Sequence, residues 1–208
     1  DHTNYHKSMK SFNQINSMKN LLFFVLASLA IMSCQPDNNP PAPTGSMTLT
    51  LDSVSHSITA FNNTLYKEVQ FGEAGRRLDI RVNVDGGTLV ISVSNWDWQM
   101  PPENGILLKT YDTGDLGNDS TLVGPNTQCK SGSFADYCDA GMGTFIIGNQ
   151  QFSSEFVEGI PGWISITNND ATNLTVSGLF EFTAVDLFTE EEKTFKGNFL
   201  NLPYTVLN

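Results

Sequence analysis

RLDIRVNVDGGTLVISV, residues 77–93, decides the fold. Leu78, Ile80, Val82 and Val84 alternate with Arg77, Asp79, Arg81 and Asn83. That is the two-residue period of a strand with one apolar and one wet face. Asp85, Gly86 and Gly87 then turn the chain, because aspartate and glycine accept the positive φ of a tight hairpin turn. Leu89, Ile91 and Val93 repeat the alternation on the way back. The stretch predicts a β-hairpin.

The same period recurs on both sides. Met47, Leu49 and Leu51 form a short strand, and 61–71 holds another. Gly105 to Tyr111, Gly143 to Ile147 and Trp163 to Ile166 are further strands. Leu174, Val176, Phe180 and Phe182 share one parity of a long strand, and Phe195 and Phe199 share one in the last. Glu190 to Lys193 is the acidic turn between those two. About eight to ten short strands without a helix predict an all-β fold over residues 47–208. An antiparallel β-sandwich is the leading form and a β-barrel the alternative. Parallel pairing throughout is excluded for want of crossover helices. Residues 95–103 and 112–139 are the long irregular pieces, where binding sites tend to sit.

The first 46 residues read differently. Leu21 to Met32 is a twelve-residue apolar run, preceded by Met18, Lys19 and Asn20 and followed by Ser33 and Cys34. It is too short to span a bilayer, which takes about 20 apolar residues, and has the length of a signal-peptide core. A small residue and then a cysteine make it a lipoprotein signal, residues 18–33, with Cys34 as the acyl-bearing residue. Residues 1–17 are polar and aperiodic and are read as an upstream extension outside the fold. Gln35 to Gly45 carries four prolines. With Cys34 it forms a lipid anchor and flexible tether, residues 34–46. Extended, its 11 residues reach about 36–40 Å.

Charge and cysteine use fit that address. Beyond Cys34 the chain keeps 8 of its 11 basic and 21 of its 22 acidic residues, a formal charge of −13. That excludes charge-driven binding of nucleic acid or of an anionic membrane surface. Cys129 and Cys138 remain in a loop rich in Gly, Ser and Asp. In an oxidising compartment such a pair predicts a disulfide.

Chemistry is sparse. His56 is the one histidine beyond residue 34, which excludes a zinc site of several histidines and leaves a Ser-His-Asp triad no spare base. The loop Asp112 to Asp119 offers Asp112, Asp115 and Asp119 as hard oxygen ligands for calcium. The same Asp-Gly pattern is ordinary turn chemistry. No other cofactor is indicated. Trp96, Trp98 and Trp163 are the candidate ligand surface. If the chain stays extended, 96 and 98 point to the same side. Exposed indoles would form a platform for a glycan or peptide; buried ones would cap the core.

The passages Trp163 to Asn168 (WISITN), Val176 to Ala184 (VSGLFEFTA) and Phe195 to Tyr204 (FKGNFLNLPY) carry a pattern of their own. With the Ser-Cys signal and the Pro/Asn tether, it resembles small cell-envelope lipoproteins of Bacteroidota-type bacteria, a family of unknown function. The resemblance implies an all-β lipoprotein in the outer part of the envelope. The signal itself predicts palmitate-type acylation at Cys34, and Gln35 after it, in place of an inner-membrane-retaining Asp, predicts the outer membrane. Whether the periplasm or the cell surface holds it is left open. The expectation is a non-enzymatic protein that binds or scaffolds, with a glycan or an envelope protein as partner and no nucleic acid. The rival expectation is a glycan-active hydrolase using a carboxylate pair.

Overall fold

The computed structural model describes residues 44–70, 73–114, 124–131 and 136–208. The expected extension, signal, Cys34 and tether up to residue 43 lie outside those residues, as do Asp115 and Asp119. Residues 44 onward belong to a compact unit, Pro43–Asn208.

The fold is almost entirely β. Its strands are β1 (Ser46–Leu51), β2 (Val54–Ile58), β3 (Asn62–Gln70), β4 (Glu73–Val84), β5 (Gly87–Trp96), β6 (Thr110–Thr113), β7 (Cys129–Ser131), β8 (Asp136–Cys138), β9 (Ala140–Ile147), β10 (Gln150–Ser153), β11 (Gly162–Asp170), β12 (Thr175–Asp186), β13 (Glu192–Pro203) and β14 (Thr205–Leu207). The predicted hairpin 77–93 is the centre of β4–β5. Its turn residues Asp85 and Gly86 both take positive φ, 50° and 76°.

β9, β6, β11, β12 and β10 pair in a closed ring of five strands. β10 closes it: Phe152 and Ser153 pair with both β9 and β12. Two arms extend from the ring. β5, β4, β3 and β14 follow β9, and β13, β1 and β2 follow β12. The arms meet where His56 of β2 reaches Asp85 in the β4–β5 turn. The ring is a five-stranded barrel with further strands outside it, and both expected forms, sandwich and barrel, fit this pairing. The pairing is antiparallel except at β14–β3 and at the single β6–β9 bridge, which are parallel.

One apolar cluster fills the interior, drawn from both arms and the ring. Its spine is aromatic. Phe182 lies 5.2 Å from Phe195, Phe195 lies 5.5 Å from Phe145, and Phe180 lies 5.9 Å from Phe182, centroid to centroid. Such pairs add about 0.5–1.5 kcal/mol each beyond area burial. The rings lie over bare backbone. Phe199 faces Gly178 and Phe180 faces Gly197 across β12–β13. A Cβ at Gly178 would stand 2.5 Å from the Phe199 ring, and one at Gly197 2.8 Å from Phe180. The recurring Gly-x-Phe spacing in these two strands is therefore a packing code.

Some boundaries move. Gly105 to Tyr111 is not a strand except at its end, because side chains take its backbone donors. Ile106 N donates to Asn169 Oδ1 and Leu107 N to Asn95 Oδ1. Residues 95–103 are less irregular than expected: β5 runs to Trp96 and 97–99 form a 3-10 turn. The indoles of 96 and 98 therefore do not follow the parity of an extended chain. Within 112–139, Cys129 pairs directly opposite Cys138 in a two-stranded sheet, with Cα atoms 4.1 Å apart and the predicted disulfide formed.

Candidate functional site: the Trp96 concavity

Strand parity and register build the site. β3, β4 and β5 stack three rungs on one face: Glu68–Gly75–Trp96, Tyr66–Arg77–Ser94 and Thr64–Asp79–Ser92. The opposite face carries the apolar Leu65, Leu78, Ile80, Ile91 and Val93, all buried. In the first rung Gly75 leaves a gap between Glu68 and Trp96. The benzo ring of Trp96 covers it: a Cβ at residue 75 would stand 3.0 Å from the ring. The result is a concavity of about 160 Å³ lined by Glu68, Gly75, Arg76, Arg77, Ser94, Asn95 and Trp96.

Its charged groups are held by neighbours. Arg77 lies 5.0 Å over the Tyr66 ring, with Nη2 3.2 Å from Glu68 Oε1 and Nε 3.1 Å from Asp79 Oδ1. Asp79 is buried and also accepts from Arg81 Nη2 (3.0 Å) and Ser92 Oγ (2.8 Å). Asp79 thus anchors Arg77, while Glu68 and the outer edge of Arg77 stay half exposed.

A second network holds the Trp96 wall. Trp96 Nε1 donates to Cys138 O at 2.9 Å, which ties the indole to the disulfide hairpin. Gln99 Oε1 accepts from Trp96 N, and Gln99 Nε2 donates to Asp139 Oδ2 at 2.7 Å. Buried Asp139 also receives Lys109 Nζ and, at 2.7 Å, Gln128 N. Arg76 donates to Asp97 Oδ1 and to Pro102 O, clamping the turn after β5. Buried Asn95 accepts from Tyr111 OH at 2.6 Å. Burial pushes the Tyr111 phenol far above its ordinary range, so it stays neutral.

The three tryptophans separate. Trp96 forms the concavity. Trp98 sits on the following 3-10 turn, where its indole N–H is buried without an acceptor among the described residues. Trp163 lies on β11, between Asp112 of β6 and Glu181 of β12. That is three places along the sheet from β5. Glu68, Tyr66, Arg77 and Ser94 were not singled out in the sequence, because their common face depends on register. The Asp85-Gly86 turn was the available signal, since a two-residue turn after Val84 sets Gly75 opposite Trp96.

Asp112, the described member of the calcium set, is buried. Its oxygens accept from Asn126 N (2.8 Å), Asn126 Nδ2 (2.7 Å) and Thr127 Oγ1 (3.3 Å), so protein donors occupy it. Among the described residues no three His, Cys, Asp or Glu side chains group as metal ligands. His56 Nε2 lies 3.3 Å from Asp85 Oδ2, near enough for an ion pair but not aligned as a hydrogen bond.

Compared with protein-family models, with curated proteins and with solved structures, the chain has no match in any of the three.

Proposed function

We propose that this chain is a lipid-anchored outer-membrane protein of the bacterial envelope that works by binding, with a glycan held at the Trp96 concavity. The anchor rests on the apolar run that ends at Ser33-Cys34. The observation that carries the binding reading is the rung Glu68–Gly75–Trp96 beside Arg77 and Ser94. It sets an indole ring next to a carboxylate acceptor, a guanidinium donor and a hydroxyl. A sugar offers the complement: an apolar C–H face and a rim of hydroxyls. A disulfide beside the site suits the oxidising side of a membrane. Catalysis is the weaker reading, since Asp79 and Asp139 are saturated with donors and Glu68 is paired to Arg77.

The test is titration of envelope oligosaccharides against the full chain in detergent, read by indole emission. Trp96→Ala should abolish the response. Glu68→Gln, a half-exposed change that leaves the core untouched, should weaken it roughly tenfold, the value of about one charged hydrogen bond. Unchanged affinity in Glu68→Gln, or no response to any glycan, would contradict the site.

A further inference from the structure

The β12–β13 hairpin closes through residues 187–191, and its tip presents two apolar side chains. Phe188 is 95% exposed and Leu187 58%. The tip is not slack. Asp186, only 1% exposed, spends its carboxylate on it: Oδ1 accepts from Phe188 N (2.9 Å), Thr189 N (2.9 Å) and Thr189 Oγ1 (3.1 Å), and Oδ2 from Gln151 N (3.1 Å). Glu190 N donates to Asp186 O at 2.9 Å, and Asp186 N to Glu191 O at 3.0 Å. A tip held in one shape loses little freedom when a partner covers it.

Its charge is one-sided. Residues 186–193 hold four acids and one lysine. That lysine, Lys193, is already engaged by Glu191 (2.8 Å) and Asp52 (3.6 Å). The tip also stands apart from the Trp96 concavity. Gln150, in the hairpin beside the start of β5, reaches Glu191, while Trp96 ends β5 nine residues on, about 30 Å along the strand. It is likewise far from the point where the chain comes into the domain. Ser46 pairs with Leu200, eight residues up β13 from Glu192, about 26 Å away.

We propose that Leu187 and Phe188 are the anchor of a docking surface for a protein whose pocket is apolar and ringed by lysine and arginine. An aromatic anchor set among acids asks for that complement. An anionic bilayer would repel the acids. A second copy of this chain has less to offer, since six of the eight lysines and arginines among the described residues, Arg76, Arg77, Arg81, Lys109, Lys193 and Lys196, are committed to ion pairs of their own.

The experiment is photocrosslinking in cells that make the full chain, with p-benzoylphenylalanine in place of Phe188 and, as control, in place of the exposed Leu200. The expected result is one protein adduct from position 188 and none of that mass from position 200. The crosslinked partner peptide should be flanked by Lys or Arg. Combining Glu190→Gln, Glu191→Gln and Glu192→Gln should reduce the adduct several-fold, with the domain still folded by its far-UV signal and the melting temperature lowered only slightly by loss of the Glu191–Lys193 contact. Adducts to lipid or to a second copy of this chain, no adduct, or an adduct indifferent to the three glutamines would each overturn the proposal.

Discussion

Gly143 has no side chain because the Phe182 ring occupies that space: a Cβ there would stand 2.0 Å from the ring. The overlap involves a ring clamped between Phe180 and Phe195, not a free chain end. Gly143→Ala should therefore destabilise the domain by about 1–3 kcal/mol, the usual cost of overpacking a filled core. Urea unfolding of the full chain measures it; a midpoint unchanged from the parent would show that the ring shifts freely. The burial of Phe180, Phe182, Phe195 and Phe199 was legible in sequence, since period two put the first pair on one face of their strand and the second pair on one face of theirs. The glycine partners were not, because which glycine lies under which ring depends on register between strands distant in sequence.

At the scale of elements, register decides what a local reading can see. The Asp85-Gly86 turn fixes β4 against β5 and hence places Gly75 against Trp96. β10 escaped because it is four residues, Gln150 to Ser153, with one large apolar side chain. It is a strand only because β9 and β12 flank it. β14 escaped because its parallel partner β3 lies some 140 residues earlier. The β7–β8 hairpin was expected as a stapled loop, and here it forms the backing of Trp96. Reducing its disulfide should cost about 2–3 kcal/mol in the chain-entropy model for a loop of roughly ten residues. It should also release the Cys138 O to Trp96 bond, so indole emission should shift at reductant concentrations that leave the far-UV signal intact. Emission that moves only with global unfolding would mean that the hairpin does not hold the indole.

The turns also set the pH limits. N–H donors from Asn173 hold the Asp170 carboxyl below its ordinary 3.8, and the Thr189 N–H does the same for Asp186. The Lys193 ammonium lowers Glu191 from 4.5. Stability from lowered carboxyls is complete above their ordinary values and is lost as pH falls through the lowered ones. Burial raises Tyr111 and Tyr204 above 10.0, and the Glu191 contact raises Lys193 above 10.5. Their contribution is complete below those values and is lost as pH rises through the raised ones. Melting temperature should thus hold steady between about pH 5 and pH 9 and fall on both sides. Tyrosinate absorbance from Tyr111 should appear only with unfolding. Its appearance in the folded protein near pH 10 would contradict the buried hydrogen bond to Asn95.

At the scale of the molecule, the ring and its two arms set the two proposed surfaces apart. The Trp96 concavity lies at one end of β5, and the Phe188 tip lies near the other. The all-β class was legible because alternation survives in nearly every strand. Ring closure was not, since it depends on strands too short to alternate. The proposed envelope role turns on attachment through Cys34, and one measurement tests that most directly. Cells expressing the full chain are labelled with radioactive palmitate and fractionated. The account predicts label on the protein in the outer-membrane fraction, and for Cys34→Ala no label and an unprocessed precursor. A labelled Cys34→Ala chain, or a parent chain that is unlabelled or sits with the inner membrane, would contradict it.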